Sequence, residues 1–186
     1  MNSPVSYRLI RSGRTTMALE IRNGELIVRA PLRAPQADID RLLREKAVWI
    51  QKHLAASQEK RALADAVSPL TRSELENLAA DAMAYIPGRV RHYAAILGVR
   101  VRRITIRNQR TRWGSCSAQG NLNFNCLLML TPPEVIDSVV VHELCHLIEM
   151  NHSERFYRQV IRVFPEYDRW HSWLKEHQTE LMARLK

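Results

Sequence analysis

Apolar and polar residues alternate with a period of two in three short runs at the head of the chain, residues 7–11, 17–22 and 25–30. That period marks half-buried strands. Asn23 and Gly24 join the last two runs. Both residue types accept positive φ, so the pair predicts a tight hairpin. Pro31 and Pro35 end this sheet, and the period then lengthens. Ile39, Leu42, Leu43, Val48, Ile50 and Leu54 recur at helical spacing, predicting a helix over 37–56 and then a polar, alanine-rich connection over 57–69. Thr71 and Glu74 form a capping box opening a long helix, which Pro87 and Gly88 should kink and Gly98 should end.

The second half repeats the sequence of strands followed by helices. Isoleucine and valine alternate with arginine and threonine over 99–107, and residues 121–130 read as one or two further strands. Between them the segment RTRWGSCSAQGN is rich in turn formers. Thr131, Pro132, Pro133 and Glu134 look like a capped helix start with prolines in the first turn. Val139, Val140, Val141, Leu144, Leu147 and Ile148 then make the helix apolar almost all round, hence buried. Asn151 suits a left-handed helix end and Ser153 an N-cap, so the chain should turn there. A helix to about Phe164, a break at Pro165 and a last helix complete the pattern.

That buried helix carries His142, Glu143 and His146 in the order HExxH, with His152 soon after. At about 3.6 residues per turn, positions four apart share a helix face, so both imidazoles can point at one zinc ion. Buried ionisable groups need partners, and a metal supplies one to both histidines. Glu143 then stands where a carboxylate takes a proton from water without itself being a ligand. Catalytic zinc sites usually hold three protein ligands, and His152, carried back by the turn, is the natural third. Glu149 is the rival ligand, and it or Asp137 would otherwise support a histidine from behind. Cys145 points elsewhere and reads as a small core residue.

Composition narrows the setting. A chain of 186 residues is long enough for one solid core and a small second lobe. Its N-terminus lacks an apolar signal core, and no apolar run is long enough to cross a bilayer, so a soluble cytoplasmic protein is expected. Cys116, Cys126 and Cys145 show no CxxC spacing, which argues against a disulfide framework and against thiolate zinc ligation. The net charge is +9, and from residue 82 to 133 there is no aspartate or glutamate while eight arginines occur. Arginine suits bidentate contact with phosphate, so a nucleic acid or nucleotide partner stands beside a plain solvated basic face. Arg112 near the cleft would stabilise an oxyanion or hold a phosphate, whereas the structural alternative has Trp113 filling a gap between lobes and Arg112 in a carboxylate pair. Tyr157, Tyr167 and His171 are further candidate transition-state donors, each also readable as packing or surface, and Trp170 and Trp173 as core or interface.

RWGSCS before a strand, HELCH on the next helix and NHSERFY opening another resemble the YgjP-like metallopeptidase family, small zincins related to SprT-like proteases and minigluzincins. The N-terminal hairpin and LREKAVWIQKHL fit as well. The resemblance implies His142, His146 and His152 as zinc ligands and Glu143 as base. It implies an α+β fold, with a β-rich hairpin and helix lobe over 1–70 and a compact zincin-like core over 71–186, the HExxH helix packed on a small sheet. An edge strand in such cores pairs with extended substrate, and 121–125 or 126–130 would be that strand. The ligand spacing also matches metzincins, but Glu149 stands where they have glycine and no methionine turn is evident.

Three functions remain. The first is a zinc peptidase acting on peptide or unfolded protein. The second is a nucleoside triphosphate pyrophosphatase using the same site, with arginines holding phosphates because no P-loop is present. The third is a nucleic-acid-binding module with structural zinc, which would leave Glu143 without a purpose. SprT-like relatives act on DNA-attached proteins, so a basic peptidase working near nucleic acid is a hybrid of the first and third.

Overall fold

The computed structural model describes residues 5–185. The chain divides between Ala66 and Val67 into two compact units, each described by itself.

The first unit opens with β1 (Tyr7–Ser12), β2 (Ala18–Arg22) and β3 (Glu25–Pro31). The sheet order is β1-β3-β2, with β1 parallel and β2 antiparallel to β3. Asn23 and Gly24 have φ of 53 and 79, the positive pair that a type I′ turn demands, so the hairpin forms where the sequence places it. Central β3 buries Leu26, Ile27, Val28 and Ala30, and Ile39 closes this small core. Two helices follow rather than one: α1 (Gln36–Glu45) and α2 (Ala47–Ala66). The connection expected over 57–69 is therefore mostly helix. Alanine, glutamate, lysine and arginine in this stretch are strong helix formers, and that propensity acts even though α2 buries only Ile50.

In the second unit α3 (Arg72–Leu97) starts on the Thr71–Glu74 capping box, both reciprocal bonds present, and ends at Gly98 with φ of 69. Pro87 lies inside α3 and does not end it. Ala82, Ile86, Val90, Tyr93 and Ala94 bury along the helix, so tertiary packing holds the turn that proline weakens.

A second sheet contains β4 (Arg103–Arg107), β5 (Gly114–Cys116) and β6 (Asn121–Asn125), in the order β4-β6-β5 with β4 parallel and β5 antiparallel to β6. The strand expected over 99–107 is shorter, and β5 lies inside the segment read as turns. Residues Cys126–Leu130 form a 3-10 helix, capped by the Asn125 side chain, which accepts from the Leu127 amide at 3.1 Å. Neither strand proposed as a substrate edge therefore has one. β6 is central and paired on both sides, 126–130 is helical, and β4 and β5 carry the edges.

Three helices complete the α+β fold: α4 (Pro133–Cys145), α5 (Glu154–Val163) and α6 (Tyr167–Ala183). Thr131 does not cap α4. Its hydroxyl donates to the Leu128 carbonyl at 2.7 Å, while Pro132 takes the N-cap position and Pro133 the first turn. From Val135 to Cys145 every residue of α4 except His142 is buried. α4 packs against α3, α6 and β5, which places the HExxH motif between sheet and helices.

Candidate metal centre

His142 lies in the last turn of α4 and His146 is its C-cap residue, so the pair straddles the helix end. The chain then tightens: Leu147 donates to the Leu144 carbonyl and Ile148 to that of Cys145, both at 3.0 Å. This reversal needs no left-handed residue, contrary to the expectation for Asn151; among the described residues only Asn23 is a non-glycine with positive φ. Ser153 then caps α5 through its hydroxyl, which accepts from the Phe156 amide at 3.3 Å, and His152 is delivered to the face of His142.

His142, His146 and His152 place ligand nitrogens within 4.8 Å of one another, and Glu149 is not part of this cluster. The Nε2 atoms of His142 and His152 stand 3.0 Å apart. A tetrahedral zinc with bonds of about 2.0–2.1 Å sets its nitrogens about 3.4 Å apart, so the donor set fits such an ion. The far nitrogens of His142 and His146 are engaged. His142 Nδ1 lies 2.8 Å from the Tyr167 hydroxyl, and His146 Nδ1 lies 3.3 Å from the Glu149 carbonyl. With Nδ1–H donating in both, each Nε2 presents a lone pair outward. Phe156, wholly buried, packs beneath all three rings at centroid distances of 5.0, 4.6 and 4.9 Å. Burial, reinforced by the neighbouring histidines, lowers His142 to about 3, and burial also lowers His146. Neutral imidazole is the form that binds metal.

Glu143 is buried on α4 against β5. Gly114 makes the approach feasible: a Cβ there would lie 2.6 Å from Glu143 Oε1 and 2.7 Å from its Cγ. Burial raises the Glu143 carboxyl to about 8, opposed by the charge of Arg112. Arg112 forms no ion pair among the described residues, so the carboxylate pair expected for it is absent. It borders, with Trp113, a cavity of about 250 Å³ beside Glu143 and His142. Trp113 also packs on the core of the second unit. Tyr157 is 39% exposed, its ring 6.2 Å from that of His152 and 6.4 Å from that of Tyr167.

The supporting residues are not the expected ones. Asp137 holds no histidine; it accepts from Arg89 at 2.6 and 2.7 Å and from the Tyr93 hydroxyl at 3.1 Å. Arg89 is thereby used internally, its pKa raised by that carboxylate. Glu149 acts through its main chain. Tyr167 does the orienting, with His171 Nδ1 3.3 Å beyond its hydroxyl. Phe156, Gly114 and Asn125 escaped the sequence reading because nothing in their spacing singles them out; RWGSCS and NHSERFY flagged their neighbourhoods only.

Residues 15–74 and 69–177 match the family model described as YgjP-like, metallopeptidase domain. The crystal structure of the metallopeptidase zymogen of Pyrococcus abyssi abylysin is similar at 24% identity with a TM-score of 0.45, over 50% of this chain and 95% of that one. No curated protein matches. With the family model spanning both units, the chain belongs to the YgjP-like metallopeptidase family.

Proposed function

We propose that the chain is a zinc-dependent peptidase in which His142, His146 and His152 hold the metal and Glu143 is the general base. The observation that carries this reading is the convergence of three imidazoles beside a buried carboxylate that is not a member of the cluster. Zinc held there would lower the pKa of water towards neutrality and polarise a carbonyl. Glu143 takes the proton of the attacking water and delivers it to the leaving amine. Tyr167 keeps His142 in the tautomer that faces the metal. Arg112, which borders the cavity, and Tyr157, exposed with its ring 6.2 Å from that of His152, are the candidate donors to a developing oxyanion. β5 has a free edge in its sheet and packs on α4, so an extended peptide pairs there with its scissile bond towards Glu143.

Among the described residues a single arginine borders the cavity, which is a thin provision for a triphosphate, so phosphoanhydride hydrolysis is the second reading. One experiment separates them. Zinc-loaded protein is offered unfolded protein, peptides and nucleoside triphosphates, with Glu143→Gln as control. Peptide cleavage that disappears in Glu143→Gln while bound zinc is retained is expected. Phosphate or pyrophosphate release that depends on Glu143, without peptide cleavage, overturns the peptidase reading. Zinc content of His152→Ala against Glu149→Ala decides the third ligand, with loss expected only for His152→Ala.

A further inference from the structure

The cavity beside Glu143 has more structure than water activation requires. Its walls come from the approach to β5, from α4 one turn before His142, and from α6. Val139 and Leu174 are buried at 7% and 5% exposure and form its floor, Trp113 is half-buried, and Arg112 and His171 are exposed at its mouth. Ser138, the polar residue on the floor side, already donates its hydroxyl to the Val135 carbonyl at 2.8 Å. The floor thus offers apolar contact, and the donors on Thr111 and Arg112 belong to exposed residues. At about 250 Å³ the space falls below the roughly 300–1,000 Å³ of small-molecule sites and suits one side chain.

The wall that closes this space is pinned. Asn125, 1% exposed, donates through Nδ2 to the Gln109 carbonyl at 2.6 Å and the Arg112 carbonyl at 2.9 Å, while its own amide donates to the Trp113 carbonyl at 2.8 Å. Three backbone carbonyls of the segment bearing Arg112 and Trp113 are held by one buried residue, so the pocket stands formed before substrate arrives.

We propose that this pocket receives one large apolar side chain, of the size of leucine, methionine or phenylalanine, from a substrate residue flanking the scissile bond, with Val139, Leu174 and Trp113 setting the preference. The inference rests on the peptidase reading and names the substrate class for that site. A charged or very small residue at that position loses the burial and leaves the floor unfilled.

The test uses zinc-loaded full chain and peptides with one cleavable bond, varied at either flanking position among Leu, Phe, Gly, Glu and Lys. At one position Leu or Phe should exceed Gly, Glu and Lys by at least about tenfold in kcat/KM. Calorimetric binding of the same peptides to zinc-loaded Glu143→Gln should follow the same order, a readout independent of turnover. Leu174→Ala should shift the optimum to larger aromatic residues and Leu174→Phe to smaller aliphatic ones. Either variant suffices should the other fail to fold. Cleavage without apolar preference at either position, or a preference unmoved by the Leu174 variant that folds, overturns the pocket assignment and leaves the peptidase reading intact. Absence of cleavage of every peptide, with bound zinc, removes the reading beneath it.

Discussion

Gly114 has a hydrogen where any other residue would place a carbon 2.6 Å from Glu143 Oε1, so at this residue the backbone is the wall against which the carboxylate is set. Gly114→Ala displaces the glutamate or spreads β5 from α4. Because misplacement of a reacting group by about 1 Å costs on the order of 100-fold, Gly114→Ala should lower kcat by about that factor while bound zinc, measured after dialysis, stays unchanged. Glu143 itself predicts a pH signature. In metal-free protein its folded pKa of about 8 lies above the ordinary glutamate value of 4.5. Between those values the folded state keeps on Glu143 a proton that the unfolded state has released, so the Glu143 contribution to stability falls as pH rises, by at most roughly 1.4 kcal/mol per unit. Urea unfolding of chelator-treated protein should show Glu143→Gln gaining on wild type from pH 4.5 to 8; equal slopes would mean that the carboxyl is not held neutral.

Elements are joined here by side chains as much as by ladders. Asn125 ends β6, caps the Cys126–Leu130 helix and ties down the segment before β5. Asn125→Ala orphans two carbonyls and an amide in a site that is nearly dry, so it should cost about 1–3 kcal/mol in urea unfolding. It should also raise KM for peptides with a large apolar flanking residue more than it lowers kcat, since the wall moves and the metal does not. A variant that lowers stability but leaves that KM unchanged would reduce Asn125 to a structural residue. The α4 to α5 reversal follows the same logic. The i to i+3 bonds after Leu144 and the Ser153 cap together bring His152 under His142, work that a left-handed Asn151 was expected to do.

At the scale of the molecule the chain holds two compact units with separate cores, and the three-histidine cluster lies wholly in the one running from Val67. Zinc at about 100 times its Kd should stabilise that unit by about 2.7 kcal/mol, with slowed amide exchange concentrated in α4 and α5 and lost in His142→Ala. No helix among the described residues is long and apolar enough to cross a membrane. The arginine-rich stretch from residue 82 to 133 serves more than one end: Arg89 locks α3 to α4 through Asp137, Arg112 borders the cavity, and Arg103 and Arg107 remain exposed on the edge strand β4.

What the sequence determined by itself is local chemistry with a short reach. The Asn23–Gly24 hairpin, the Thr71–Glu74 box and the HExxH face each depend on residues within four positions, so spacing alone made them legible. The α+β class was legible too, because the period of apolar residues changes where strands give way to helices. Tertiary structure decided what needs partners from far along the chain. Whether residues 114–116 pair as a strand depends on β6, and where β6 ends depends on Asn125, whose side chain is held by the carbonyls of Gln109 and Arg112. That Tyr167 and not Asp137 steadies His142 depends on α6 lying against α4 while Arg89 of α3 claims the aspartate. Hydrogen-bond partners tens of residues away leave no periodic trace, and only the packed chain selects among them.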